Sequence, residues 1–142
     1  MTNLQDYADW QNLPSMFFKQ AEKYGDAPFL WTKDGETDEF VPTSWNDAAD
    51  QVRALARSLY KIGVRPGDRV LLVSENRTEW GIADLAIMCV GALTVPAYTT
   101  NTERDHLHAI EDSGAGIAII STKKLAQPFL HHDGRLGPKL CR

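Results

Sequence analysis

The side chains with chemistry to offer are few, and their spacing does not bring them together. His106 and His108 stand two residues apart in a helical pattern, so they point to different faces and make a poor metal pair. His131, His132 and Asp133 are adjacent, but in a tail with no periodicity to hold them in a tetrahedral arrangement. Cys89 lies inside an apolar helix, where it reads as a small core residue, and Cys141 is one residue from the end. Two such cysteines give no disulfide framework, and a reducing cytoplasm fits. Thr99, Thr100 and Thr102 offer hydroxyls that could bond a phosphate, and they equally suit a turn followed by a helix cap. The tetrapeptide Ser74-Glu75-Asn76-Arg77 has charge and hydrogen-bonding capacity but no glycine.

The motifs that would turn these groups into a site are missing from the sequence. There is no G-x-G-x-x-G after an apolar strand, no G-x-x-x-x-G-K-[ST] phosphate cradle and no G-x-S-x-G nucleophile elbow. A receiver-type domain would need several acidic residues at the end of its first strand, where Glu75 stands alone. No catalytic, cofactor-binding or metal-ligating residue is therefore assigned.

The stretch from Gly63 to Tyr98 organises the positions around these groups. It reads as a tight turn, an apolar strand over Arg69–Ser74, a helix apolar almost all round, and a second strand, Leu93-Thr94-Val95, ending at Pro96. That is one strand–helix–strand crossover, the unit of parallel sheets. Asn76 is the expected cap of its helix, with Glu79 three residues on. Asp84 is the helix's one charged interruption and is expected at its polar edge. Because the helix over Thr78–Val90 is apolar on most sides, it must be covered from more than one direction.

A second unit repeats the pattern. Thr102, with Asp105 three residues later, caps a helix closed by Gly114 and Gly116, and Ile117–Ser121 follows as a strand. The first residues of the three strands, Arg69, Leu93 and Ile117, are evenly spaced. Both crossovers are expected to be right-handed.

Upstream, a helix starts near Leu13 with Pro14 in its first turn and stops at Gly25. Phe29-Leu30-Trp31 and Glu39-Phe40-Val41 flank Asp34-Gly35 and predict a β-hairpin, with Pro42 ending its second strand. Ser44, three residues before Asp47, opens a long helix whose apolar face is Val52, Leu55, Ala56, Leu59 and Ile62, stopped by Gly63. Arg53, Arg57 and Lys61 form a basic row that reads as a solvated face. Thr122 can start a short helix that Pro128 should break. The segment HHDGRLGPKLCR is expected to be disordered.

The fold class is thus α/β: a partial Rossmann-like layered domain whose parallel sheet of consecutive βαβ units is preceded by a helix and a hairpin. Two segments are expected, a domain over 1–126 and an unrelated tail over 127–142. A hydrophobic share of 43% and a charged share of 24% are ordinary for a globular chain. A net charge of −4 without a basic cluster argues against a nucleic-acid surface. The N-terminus has no leader pattern, and the longest apolar stretch, Trp80 to Leu93, is interrupted by Asp84 and too short for a bilayer. A cytoplasmic protein is expected, with at most peripheral contact to membranes.

Four signatures, in order and at matching spacing, resemble the N-terminal part of the AMP-forming acyl-CoA synthetases of the acyl-adenylate-forming superfamily. Trp45 and the helix to Ile62 resemble the family's T-[YW]-x-E/D entry into its first long helix. Gly63-Val64-Arg65-Pro66-Gly67-Asp68-Arg69-Val70 is close to GV-x-x-GDRV, and Asn76-Arg77-Thr78-Glu79-Trp80 resembles N-x-x-EW. Ala86-Ile87 followed by Gly91 to Tyr98 resembles A-I-x-x-x-GA-x-x-VP-x-Y. The resemblance covers residues 12–125, and the DGETDEF hairpin and YTTNT loop lean toward the long-chain fatty acyl branch. It implies an enzyme that uses ATP and magnesium to turn a carboxylate into an acyl-adenylate and then passes the acyl group to coenzyme A. The family's phosphate loop ending in PKG, its YG-x-TE segment, its ribose-binding aspartate and its C-terminal lysine match no position here. The expectation is therefore a portion lacking the catalytic motifs and inactive alone, with small-molecule substrates only in the full-length enzyme. The composition break near Gln127 suggests a frameshift or premature stop. The alternative is a small non-catalytic α/β module that binds a protein partner or self-associates through its apolar helix.

Overall fold

The computed structural model describes residues 10–130 and 139–141. Asn12 starts the first helix, α1 (Leu13–Tyr24). Its Oδ1 accepts the Ser15 N–H at 2.8 Å while Ser15 Oγ accepts the Asn12 N–H at 3.3 Å, so two of the donors that a helix start leaves free are satisfied reciprocally. Strands β1 (Pro28–Lys33) and β2 (Phe40–Ser44) then form the antiparallel hairpin, and Asp34 Oδ1 gathers the N–H groups of Glu36 and Thr37 in its loop.

Pro42 does not end β2, as the sequence suggested, but lies within it opposite Trp31. The Asp34 N–H donates to the Glu39 carbonyl at 2.7 Å, so hydrogen-bonded pairs alternate from there through 32/41 and 30/43. Pro42 falls at a position where an N–H would point away from the partner, and the ladder loses nothing.

Helix α2 (Trp45–Lys61) begins at Ser44, whose Oγ accepts the Asp47 N–H at 3.0 Å. The shorter Asp47 side chain meets the Ser44 hydroxyl at 2.7 Å, where a longer glutamate would reach the cap's backbone. The Trp45 indole stacks on Phe29 with centroids 3.8 Å apart, and lies 5.9 Å from Phe17 and 5.6 Å from Tyr24. One side chain thus ties α1, β1 and α2 together.

The central unit follows as β3 (Arg69–Val73), α3 (Thr78–Cys89) and β4 (Leu93–Ala97), then α4 (Glu103–Ser113), β5 (Ile117–Ile120), α5 (Lys123–Leu130) and β6 (Lys139–Cys141). All four strands are parallel, in the order β4-β3-β5-β6. The crossover through α3 moves one way along the sheet, and the crossover through α4 moves back past β3. Two right-handed crossovers in opposite directions must place their helices on opposite faces. The core divides accordingly: Val70, Ile117 and Ile119 pack with α1, α2 and α3, whereas Leu71, Val73 and Ala118 pack with Ala109 and Ile110 of α4 and Phe129 of α5. Between these layers β3 is buried from Val70 to Val73, which is why it reads as an unbroken apolar run.

Helix α3 finds its cover within the chain. It contacts α1, α2, β1, β3 and β4, and no residue from Trp80 to Val90 is exposed. The sequence basis for an outside partner on this helix is accounted for by these contacts. Its cap position is held by Arg77, with no side-chain cap bond, and not by Asn76. The Arg77 guanidinium pairs bidentately with Glu79 at 2.8 Å instead.

The turn that carries the GDRV signature clamps the N-terminal edge of the sheet. Asp68 Oδ2 accepts the Arg65 N–H at 2.7 Å, the Gly67 N–H reaches the Gly91 carbonyl, and the Leu93 N–H reaches the Asp68 carbonyl. Arg69 Nε donates to the Ser113 carbonyl at 2.7 Å and Nη2 to the Gly114 carbonyl at 3.2 Å. A cation there satisfies the acceptors left free at the end of α4.

Two expectations for the C-terminal part are corrected. The helix from Lys123 runs through Pro128 to Leu130, with one intrahelical hydrogen bond fewer because proline has no N–H. Lys139–Cys141, inside the segment expected to be disordered, pairs in parallel with Ile117–Ile119 as a fourth strand. The rest of that tail, including His131, His132 and Asp133, lies outside the described residues.

Candidate functional site

Open parallel sheets bind ligands beyond the C-terminal ends of their strands. Here those ends belong to the Ser74–Arg77 loop after β3, the Tyr98–Thr102 loop after β4 and Ser121 after β5. A cleft of about 530 Å³ opens between the first two, lined by Ser74, Glu75, Asn76, Trp80 and the segment Pro96–Thr99. Tyr98 stands at its lip, 80% exposed. A smaller hollow of about 160 Å³ lies beside it between β3 and β5, against Arg77, Glu79, Trp80 and Ser121.

The loop leaving β3 turns toward β4 and the chain leaving β5 turns the other way, so the sheet's switch point lies between β3 and β5. One contact closes it: Ser121 Oγ donates to Glu75 Oε2 at 2.6 Å. That bond holds the Glu75 carboxyl below the usual carboxylate range. Glu79 is likewise held low by its hydrogen bonds from Arg77, whose guanidinium is pushed up in turn.

The site therefore presents one ionised carboxylate, an amide, hydroxyls and two aromatic rings. It can accept hydrogen bonds and stack a ring. Its hydroxyl–carboxylate pair, Ser121 on Glu75, joins a weakly acidic alcohol to a carboxylate held low and so made a poor base, and no group of three metal-binding side chains occurs among the described residues. Nor does it suit a polyphosphate: Glu75 repels an anion, and the cation nearest to hand, Arg77, is engaged by Glu79.

The other candidates disperse. Thr102 caps α4 with Asp105, Thr99 lies at the cleft wall and Thr100 is exposed. His106 is buried and His108 exposed, on different faces as expected. Cys89 is half-buried and burial pushes its thiol up, which suits an inert core residue. Asp84 is half-buried, and the row Arg53, Arg57 and Lys61 is exposed, with Arg53 paired to Asp50. What sequence reasoning missed is the Glu75–Ser121 bridge. The even strand spacing placed Ser121 at a strand end, but nothing in it says that β5 neighbours β3.

Among the described residues no helix is long and apolar enough to cross a membrane. A long-chain-fatty-acid–CoA ligase, FadD15, of Mycobacterium tuberculosis is 43% identical over 76 residues, covering 54% of this chain and 13% of its own length. The long-chain-fatty-acid–CoA ligase ACSBG2 of Rattus norvegicus is 27% identical over 118 residues, covering 83% of this chain and 17% of its own. This chain thus spans well under a quarter of either relative. The fatty acyl-adenylate ligase of L. pneumophila, solved with acyl adenylate and pyrophosphate, has the same fold over 99% of this chain and 24% of its own, with a TM-score of 0.78 at 19% identity. A model of the AMP-binding enzymes matches residues 17–139, past position 126 and into β6, and the chain belongs to that family.

Proposed function

We propose that these residues form the N-terminal portion of an ATP-dependent acyl-CoA synthetase acting on long-chain fatty acids. The observation that carries this reading is the family match over 17–139, joined to two relatives that are both long-chain-fatty-acid–CoA ligases. The complete enzyme takes ATP, magnesium and coenzyme A, forms an acyl-adenylate and transfers the acyl group to the thiol. This portion supplies scaffold to that reaction. Its four family signatures build the sheet and its clamps, and its cleft offers no cation to a phosphate. The groups that stabilise charge on the transferring phosphoryl oxygens come from residues outside this chain.

A chimera tests the proposal. The matching N-terminal segment of the mycobacterial ligase is replaced by this chain, and palmitoyl-CoA synthesis is measured alongside thermal unfolding. Synthesis by the chimera is the expected result. A chimera that unfolds as cooperatively as its parent yet makes no palmitoyl-CoA contradicts it.

A further inference from the structure

His106 is the one charged or polar residue among the fully buried side chains of the described structure, 2% exposed, and its Nδ1 has no hydrogen-bond partner among the described residues. Its ring lies 4.9 Å from that of Phe129, tilted by 48°. Phe129 belongs to α5 and packs on the apolar layer formed by Leu71, Val73 and Ala118. The imidazole therefore sits where a short helix meets the body of the fold. We propose that His106 is a proton-sensitive latch: neutral, it holds α5 against α4 through Phe129, and protonated, it releases α5.

The argument rests on what each state of the ring needs. A neutral imidazole tolerates an apolar neighbour on its face, although its unpaired nitrogen already makes the site costly. An imidazolium needs acceptors on both nitrogens, or water. The ring against it is Phe129 of α5, and the layer that Phe129 joins is apolar: Ala109 and Ile110 of α4, Val95 and Ala97 of β4, and Leu71 and Val73 of β3. Asp105 is the one charged group acting on it, and the Asp105 carboxylate is already engaged by the Thr102 N–H and hydroxyl. Phe129 can attract a cation through its ring face, but that is a weak substitute for the lost water. Burial accordingly holds the imidazole below its ordinary value, with Asp105 only partly opposing it.

Water can reach Nδ1 if α5 leaves or if α4 unfolds, and α5 is the weaker element. Helix α4 is fixed at its start by the Thr102–Asp105 capping box and at its end by Arg69. Helix α5 has eight residues, includes Pro128, and is too short to persist without its docking contact. The sign follows from linkage. With the folded value depressed, the stabilisation is complete above the unfolded value of about 6.5 and is lost as pH falls below it.

Hydrogen exchange of the whole chain, corrected for intrinsic pH dependence, tests this. Amide protection over 123–130 is expected to fall between about pH 7.5 and pH 5.5, by up to about tenfold, while protection over 103–113 holds, and His106→Leu is expected to abolish the difference. Equal loss in both helices, or unchanged pH dependence in the variant, overturns the proposal. Should His106→Leu fail to fold, the imidazole's own titration in the unaltered protein decides. Titration at or above about pH 6.5 in the folded state also overturns it.

Discussion

At Gly91 the backbone stands at φ +75°, and a Cβ there would meet Pro66 Cβ at 3.1 Å and its backbone Cα at 3.3 Å. The residue closes α3, takes the Gly67 N–H on its carbonyl and lets the Pro66-Gly67 turn lie flat against it. Two of the four signatures that carry the family resemblance meet at this point, and both act as packing. Gly91→Ala is expected to lower stability by roughly 1–3 kcal/mol, from left-handed backbone strain added to a close approach to a rigid proline. Urea denaturation measures it, and an unchanged midpoint would contradict the account. Arg69 has the same character: three of its donors go to backbone carbonyls at Ser113, Gly114 and Gly67, so its charge belongs to a helix end and not to a ligand. A motif can therefore be specific to a family while touching none of its chemistry.

Among the elements, helix α3 shows how much the sequence reveals and where it stops. Its all-round apolar character is legible in Trp80 to Val90, and so is the need for cover on several sides. Which elements provide that cover is not legible, because contacts with α1, α2 and β1 join residues far apart in the chain. Ile87 is fully buried in that core. Ile87→Ala should cost about 2–5 kcal/mol in denaturant unfolding, since its surroundings come from several elements and cannot collapse together onto the void. A cost below about 1 kcal/mol would mean that the helix lies at an open surface.

The smaller misreadings have local causes. Asn76 and Arg77 both precede the apolar run, and a one-residue shift of the cap leaves the pattern unchanged. Pro42 looks like a strand end until its place in the hydrogen-bond alternation is known. Strand order was hidden too: equal spacing of Arg69, Leu93 and Ile117 fits either neighbour for β5, and only the division of the core onto two faces distinguishes them. The Glu75–Ser121 bridge was invisible for that reason.

The whole molecule combines a well-built sheet with a cleft that lacks the equipment for phosphoryl chemistry. Its strand ends offer Glu75 as an ionised acceptor, Tyr98 and Trp80 as rings, and an arginine already paired with Glu79. Rate enhancement in phosphoryl transfer comes from cations and donors aimed at the transferring group, and the lining of this cleft supplies hydroxyls and an amide but no cation. On the proposed function, these residues contribute architecture and the chemistry comes from residues outside them. The direct measurement is pyrophosphate release by the purified chain with ATP, magnesium, palmitate and coenzyme A. Release indistinguishable from a buffer blank is the predicted result. Turnover above the blank that disappears when palmitate is omitted would contradict the claim and place a catalytic site within these 142 residues.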